Sequence, residues 1–134
     1  MTETRARRLA RWALAAIFIA DAGLHWLFPA PFMAITPDWV PDPRLAVQLT
    51  GIAALAGGIG LLLPQTRRWA GIGLAVYCVC VYQANIRHAF ESIAMNGVTL
   101  SWLYHGPRLL LQPVFAWWCL WASGVIDWPF LARA

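Results

Sequence analysis

Four long apolar stretches follow one another along the chain, separated by shorter segments that hold most of the prolines and charged residues. A helix needs roughly 20 predominantly apolar residues to cross the hydrocarbon layer of a bilayer, and each stretch approaches that length. The pattern predicts an all-α, polytopic membrane protein whose four transmembrane helices form an antiparallel bundle. The chain 1–134 is predicted to be a single domain, with spans at about 9–28, 45–63, 69–86 and 108–126 and outer loops at 29–44 and 87–107.

Composition supports this class of protein. The chain is 60% hydrophobic and only 12% charged, with a mean hydropathy of +0.59, which is too apolar for an ordinary soluble domain. The lipid bilayer is therefore the first predicted partner. The first apolar stretch is too long for the core of a signal peptide and no small-residue cleavage site follows it, so we expect it to be a retained helix.

The arginines predict the orientation, since the chain contains no lysine. The positive-inside rule places the side with more arginines in the cytoplasm. Both termini and the turn at 64–68 are therefore predicted to be cytoplasmic, in a multi-pass protein of the inner membrane. The basic residues flank spans and form no groove-lining patch, so we predict no nucleic-acid partner. The more basic side holds Arg5, Arg7, Arg8, Arg11, Arg67, Arg68 and Arg133, and the other side holds Arg44, Arg87 and Arg108.

The few polar side chains inside the apolar stretches lie near one end of each stretch. If the spans alternate in direction, all of these groups reach the same face of the membrane. Polar groups in a bilayer are costly, so each needs a partner, a water-filled cavity or a function. The residues concerned are Asp21, His25, Gln48, Asn85, His88, Arg108 and Gln112.

We predict that these groups form a polar cup in the outer leaflet, in which Arg108 pairs with Asp21 and the side-chain amides bridge. Two interpretations stay open: a structural network that holds the helices in register, or a small-molecule pocket. In the second, His25 is a proton donor or acceptor, and His25 and Asp21 are the candidate catalytic residues. The candidate ligand-binding residues are His25, Gln48, Asn85, Arg108 and Gln112.

Several local signals refine the predicted architecture. The outer loop 29–44 has five prolines, so it cannot be helical throughout and is expected to form a rigid lid. Pro107 suits a helix start, after a short interfacial segment at 99–105. Pro113 is expected to kink the last span and to free the carbonyl of Leu109. Small residues in the second and third spans indicate close helix packing, within one chain or between copies in a homo-oligomer.

Three further groups of residues bear on chemistry. The cysteines Cys78, Cys80 and Cys119 form no Cys-x-x-Cys motif, so we expect three buried free thiols and no thiol-disulfide enzyme. The histidines lack metal-ligand spacing, so no metal site is predicted. The tryptophans of the last span are interpreted either as packing bulk or as a wall for a flat ligand such as a quinone ring; they are Trp117, Trp118 and Trp121.

Four motifs, spread over nearly the whole chain, follow one another in a recognisable order. They are Gly23-Leu24-His25-Trp26 with Pro29-Ala30-Pro31-Phe32, then Thr50-Gly51-Ile52-Ala53, then Gln83-Ala84-Asn85-Ile86, and last Arg108-Leu109-Leu110-Leu111-Gln112-Pro113. This order of motifs resembles the DoxX-like family of bacterial inner-membrane proteins. The resemblance implies a four-helix membrane protein in a class with redox-associated members. Some relatives are subunits of thiosulfate:quinone oxidoreductase, and others assist the maturation of periplasmic redox enzymes.

By motif position, the resemblance implies that His25, Asn85, Arg108 and Gln112 are polar positions of the family. Relatives commonly carry a glutamate in the second helix where this chain has Ala54, so that carboxylate cannot act here. The first hypothesis is a redox-associated membrane protein that binds a quinone or similar molecule in the cup. The alternative is a non-catalytic assembly factor or accessory subunit for a redox-protein partner, and the third is a small proton-coupled transporter using Asp21. Whether the protein is an enzyme stays open, and no cofactor is certain, although a quinone fits the first hypothesis.

Overall fold

A computed structural model describes residues 3–91, 99 and 101–130, and the described chain is helical with no strand, which confirms the all-α class. Most helix ends lie within a few residues of the predicted spans. The main differences are a short extra helix after the first span and a last helix that begins and ends earlier. The helices are α1 (Arg5–Leu27), α2 (Pro29–Ile35), α3 (Pro43–Leu62), α4 (Arg67–Phe90) and α5 (Trp102–Ala122).

Side-chain caps and prolines define the first helix boundaries. The hydroxyl of Thr4 accepts a 3.2 Å hydrogen bond from the Arg7 amide at the start of α1. At the start of α3, the carboxylate of Asp42 accepts a 3.1 Å bond from the Leu45 amide. These bonds satisfy amides that have no partner within the helix. Pro43 follows Asp42 as the first residue of α3, where a missing amide proton costs nothing.

Helix α2 crosses the end of the bundle. The chain bends by 92° between α1 and α2 at Phe28, the residue before Pro29, where proline disfavours continued helix. Helix α2 takes up the first seven residues of the predicted outer loop 29–44, the chain is irregular from there to Asp42, and the last two residues of the loop already belong to α3. The expectation of a loop that is not helical throughout is confirmed, although a helix within it was not predicted.

The start of α5 corrects the predicted span 108–126. The helix begins at Trp102, so Pro107 lies inside it rather than at its start. Helix α4 likewise continues to Phe90, so both ends of the predicted outer loop 87–107 are helical. Residues 92–98 and 100, the middle of that loop, lie outside the described residues.

The end of α5 is also earlier than predicted, because Gly124 adopts a left-handed conformation with φ of 77°. The Gly124 amide donates to the Trp121 carbonyl at 3.1 Å, and the Val125 amide donates to the Leu120 carbonyl at 2.9 Å. This pair of bonds is the Schellman motif that ends many helices at a glycine. The Ser-Gly pair, rather than the length of the apolar run, ends the helix.

The four long helices pack in a closed order around one core. Helix α1 packs mainly on α3, α4 mainly on α5, and α3 on α4, while a smaller α1–α5 interface completes the ring. Glycine allows the closest approach at Gly71 of α4, where an added Cβ would overlap the Ser123 side chain and lie 2.8 Å from the Cys119 carbonyl oxygen of α5. The buried centre is apolar and includes Leu14, Phe18, Leu61 and Leu74.

The outside of the bundle exposes many large apolar side chains, as a lipid-facing surface requires. Within the described residues, α3 and α4 are each long and apolar enough to cross a membrane. The bent α1–α2 pair passes the same test as one unit, which brings the number of candidate spans to three. These findings fit a membrane protein.

The first and the last described residues of the chain lie at the same end of the bundle. The buried guanidinium group of Arg11 in α1 forms an ion pair with Glu3, and one of its nitrogens also donates to the Ala122 carbonyl of α5 at 3.3 Å. Arg7 forms a 2.6 Å ion pair with Asp127, just after α5. This basic end is opposite the end at which the predicted cup residues lie.

Candidate functional site

A cavity of about 350 Å³ lies between the helices at the end covered by α2. All five helices contribute to its walls. Most wall residues are apolar, among them Phe18, Phe32, Ile35, Val47 and Phe115. The polar side chains that reach the cavity include Asp21, His25, Tyr77, Asn85, Arg108 and Gln112.

The structure brings together most of the residues that the sequence places in the polar cup. Asp21, His25, Asn85, Arg108 and Gln112 all line the cavity. Gln48 does not line it and is exposed, because the neighbouring positions of α3, including Val47, face inward instead. The alternating direction of the helices therefore brings these polar residues to one end of the bundle. Gln48 is at the same end, but it lies on a face of α3 that points away from the cavity.

His25 is buried and its ring is held on two sides. Its Nδ1 atom lies 2.8 Å from the Asp21 carbonyl oxygen, and its ring stacks on Phe32 with centroids 4.0 Å apart. A carbonyl oxygen only accepts hydrogen bonds, so Nδ1 carries the proton. In the neutral ring, Nε2 therefore has a lone pair that can accept a hydrogen bond or a proton. The Asp21 carboxylate also lies nearby, with Oδ1 3.6 Å from Nδ1.

Tyr77 is a cavity residue that sequence reasoning missed. Its hydroxyl donates a 2.9 Å hydrogen bond to Asp21 Oδ2, and its ring packs edge-on against Phe18 with centroids 5.8 Å apart. Tyr77 lies two helical turns before Asn85, so helix spacing could have placed it on the same broad face of α4. Aromatic residues in a span are usually interpreted as packing residues, so the hydrogen-bonding role of the Tyr77 hydroxyl was overlooked.

The amides join α4 to α5 beside the cavity. Asn85 Nδ2 donates to Gln112 Oε1 at 3.3 Å, and Gln112 Nε2 donates to the Cys78 carbonyl at 2.9 Å. The predicted free carbonyl of Leu109, opposite Pro113, is confirmed as a polar feature, because the Tyr82 hydroxyl donates to it at 3.0 Å. These hydrogen bonds satisfy polar groups that would otherwise need water as a partner.

Arg108 does not form the predicted pair with Asp21. Its Nη1 atom lies 3.2 Å from His88 Nδ1, and its guanidinium carbon lies 5.5 Å from the centroid of the Tyr104 ring. A guanidinium group only donates, so His88 Nδ1 is the acceptor. Asp21 is instead engaged by Tyr77 and lies beside His25. The carboxylate thus has partners on α1 and α4, and the arginine has partners on α4 and α5.

The sequence from residue 5 to residue 123 matches a family described as a domain of unknown function, DUF8561. This chain belongs to the DUF8561 family. The match covers all five helices, so the cavity lies within the family domain. Neither the curated proteins nor the solved structures contain a match to this DUF8561 chain.

The histidines and cysteines of the DUF8561 chain offer no metal cluster within the described residues. His88 and His105 are both buried, with ring centroids 4.6 Å apart at an interplanar angle of 77°. Cys78 and Cys119 are buried free thiols, as predicted, whereas Cys80 is exposed and lines the cavity, which corrects the expectation of three buried thiols. Cys80 is two residues from Cys78 and so turns to another face of α4.

The three tryptophans of the last helix do not line the DUF8561 cavity. Trp117 and Trp121 stack with centroids 5.9 Å apart, and the guanidinium carbon of Arg7 lies 5.1 Å from the Trp121 ring. This cluster belongs to the basic end of the bundle. The flat-ligand wall suggested for these residues is therefore not a wall of this cavity, whose aromatic surfaces come from Phe18, Phe32 and other residues.

Proposed function

We propose that this DUF8561 protein is a DoxX-like, redox-associated protein of the inner membrane that binds a small organic molecule with a quinone-type ring. In this proposal α5 is the fourth span and both termini are cytoplasmic, so the cavity opens toward the outer leaflet. The excess of arginines at the end that holds both chain termini supports this orientation.

The observation that carries the proposal is the composition and size of the cavity. Ligand pockets usually have volumes of about 300–1,000 Å³, apolar walls and a few polar groups that orient the ligand. The cavity has a volume of about 350 Å³ and the same kind of walls. A purely structural polar network would fill such a space with its own side chains, because helix bundles pack closely.

The polar side chains provide the means to bind and to move a proton. His25 offers a lone pair at Nε2, where it accepts a hydrogen bond from a ring hydroxyl or takes up its proton. The Asp21 carboxylate lies beside the imidazole, and Tyr77 holds that carboxylate in place by donating a hydrogen bond to it. A quinone exchanges electrons as well as protons, so a redox-protein partner supplies or receives the electrons.

The first experiment is an absorbance spectrum and a mass analysis of an organic extract from the protein purified in detergent. We expect one ring-containing ligand per protein in the wild type, and its loss in His25→Ala and in Arg108→Ala. Gln48→Ala is the matched control, because Gln48 is polar and exposed but lies outside the cavity. A wild-type protein that yields no ligand, and binds no added quinone, contradicts the proposal.

A second candidate function, an accessory or assembly role, is favoured by the loop after α2. Trp39 is 73% exposed there, and Arg87 of α4 holds the adjacent loop by donating to the Thr36 carbonyl and to Asp38 at 2.9 Å. A rigid loop with an exposed indole suits docking of a protein partner. If this function holds, Trp39→Ala abolishes copurification of a redox-protein partner, whereas His25→Ala leaves it unchanged.

A further inference from the structure

The positive charge of Arg108 at the cavity has no carboxylate partner among the acidic side chains of the chain. All six acidic side chains lie within the described residues. No carboxylate among them comes within 4.0 Å of the Arg108 guanidinium group, because each has another partner. Glu3 pairs with Arg11, Asp127 with Arg7, and both Asp38 and Glu91 with Arg87, while Asp21 accepts from Tyr77 and Asp42 caps α3.

Among the described residues, the surroundings of Arg108 provide no negative charge in place of a carboxylate. Its described contacts are the His88 ring nitrogen, which accepts a hydrogen bond, and the face of the Tyr104 ring. The guanidinium group stays protonated in proteins, so its charge cannot be removed by loss of a proton. A partly buried cation of this kind is costly unless an anion joins it. Arg108 lines the cavity, which is where that anion has room.

We infer that the cavity binds a hydroxylated aromatic carboxylate, whose carboxylate pairs with Arg108. The inference rests on the proposed function, since it assigns the ligand class of the same cavity. A carboxylate matches the two parallel N–H donors of one guanidinium group. The neighbouring amides of Asn85 and Gln112 each donate one N–H to a protein oxygen, and Arg108 supplies the positive charge that pairs with the anion.

The rest of the cavity accommodates the ring and its hydroxyl group. Phe32 and Phe115 provide apolar surface for a flat ring. His25 offers the Nε2 lone pair as an acceptor for the hydroxyl hydrogen. Arg108 and His25 come from α5 and α1, so a ligand that contacts both would be oriented by its carboxylate at one end and its hydroxyl at the other.

Two commercial probes test the charge directly. The compounds 6-hydroxy-2-naphthoate and 2-naphthol share the ring and the hydroxyl and differ only in the carboxylate, which lies at the opposite end of the ring from the hydroxyl. Their dissociation constants are measured by equilibrium dialysis against the full-length protein in a non-ionic detergent, with empty micelles subtracted. We expect the wild type to bind the carboxylate at least about tenfold more tightly than the naphthol, as a charge-assisted hydrogen-bonded pair provides.

Two variants assign the preference to one residue. Arg108→Gln is expected to bind both probes equally, and Arg108→Lys, which keeps the charge, is expected to retain part of the preference. Arg44→Gln is the matched control, because it removes an exposed arginine near the same end that does not line the cavity. Circular dichroism tests whether each variant is folded. If Arg108→Gln does not fold, the comparison of the two probes on the wild type still tests the inference.

The outcomes separate this inference from the proposed function. Equal binding of the two probes to the wild type, or a preference that survives in folded Arg108→Gln, overturns the inference. If the wild type binds a neutral short-chain quinone but neither prefers nor binds the carboxylate, the inference fails and the proposed function stands. If the wild type binds none of the three compounds, both fail.

Discussion

The hydroxyl of Tyr77 on α4 donates a 2.9 Å hydrogen bond to the carboxylate of Asp21 on α1. Among the described residues, the backbones of helices α1 and α4 do not approach each other closely, because α3 and α5 lie between them, and the two helices meet through side chains such as Phe18 and Tyr77. The bond therefore crosses the diagonal of the bundle. It joins two helices that no backbone contact holds together, and it lies near the deep end of the cavity.

Tyr77→Phe is expected to lower the stability of the bundle. The change removes the bond to Asp21 and keeps the ring that packs on Phe18. Hydrogen bonds between transmembrane helices contribute about 0.6–1.7 kcal/mol, so we expect a loss of about 1 kcal/mol. Thermal unfolding in detergent measures it. Tyr104→Phe is the control, since the Tyr104 hydroxyl forms no hydrogen bond in the part of the chain that the structure describes, and an equal loss in both variants would refute the assignment.

Two glycines on α4 should respond oppositely to alanine. In Gly71→Ala the new methyl group overlaps Ser123 and lies 2.8 Å from the Cys119 carbonyl oxygen, so the α4–α5 interface must separate. Overpacking of this kind costs about 1–3 kcal/mol. Gly73 has no atom within 4 Å of an added Cβ, so Gly73→Ala should be neutral or stabilising by up to about 1 kcal/mol. Unfolding midpoints of the two variants compare them directly, and a stable Gly71→Ala variant contradicts the packing.

The Glu3–Arg11 pair should make the stability of the protein decrease at low pH. The Arg11 guanidinium donates hydrogen bonds to the Glu3 carboxylate and lowers its pKa below the ordinary value. A lowered pKa in the folded state stabilises the protein above the unfolded pKa, and this contribution is lost as the pH falls through the folded pKa. We therefore expect the temperature at the midpoint of thermal unfolding to decrease as the pH is lowered from about 5 to about 3.

Glu3→Gln should reduce that dependence and lower stability at neutral pH, because it removes the ionised partner of a buried arginine. Glu91→Gln is the matched control, since Glu91 pairs with Arg87 at the surface of the opposite end. If Glu3→Gln and the wild type show the same pH profile, the pair does not contribute in this way.

The proposed topology can be tested with reporter fusions. A reporter that is active only outside the cytoplasm should be inactive after Ala134 and active when inserted after Pro41 in the outer loop. A reporter that fluoresces only in the cytoplasm should show the reverse. The expected result follows from the arginine asymmetry. Activity of the outside reporter after Ala134 would show that α5 is not a fourth span or that the orientation is inverted.

The sequence predicts the all-α class, the approximate helix positions and five of the polar residues of the cavity, because apolar length and helix direction determine all three. Asp21, His25, Asn85, Arg108 and Gln112 converge for this reason. It does not predict helix rotation, which depends on side-chain packing. Gln48 has the correct depth but a rotation that exposes it.

Pairings within the cavity were the least predictable part. Opposite charge favours a bond between Arg108 and Asp21, yet Tyr77 and His25 are closer to Asp21 in the folded bundle. Distances between side chains on four different helices depend on tilt and interaxial spacing, which a linear sequence does not encode directly. The early end of α5 was predictable in principle from Ser123-Gly124, but the longer apolar run obscured it.

The apolar core also determines where protons can go. Between the Tyr77–Asp21 bond and the basic end, the described interior is filled by Leu14, Leu61 and Leu74, each with almost no exposed surface. Such a layer carries no chain of acceptors along which a proton could pass. The layer separates Asp21 and His25 from the basic end of the bundle, so under the proposed topology a reaction in the cavity would exchange protons with the outer side of the membrane.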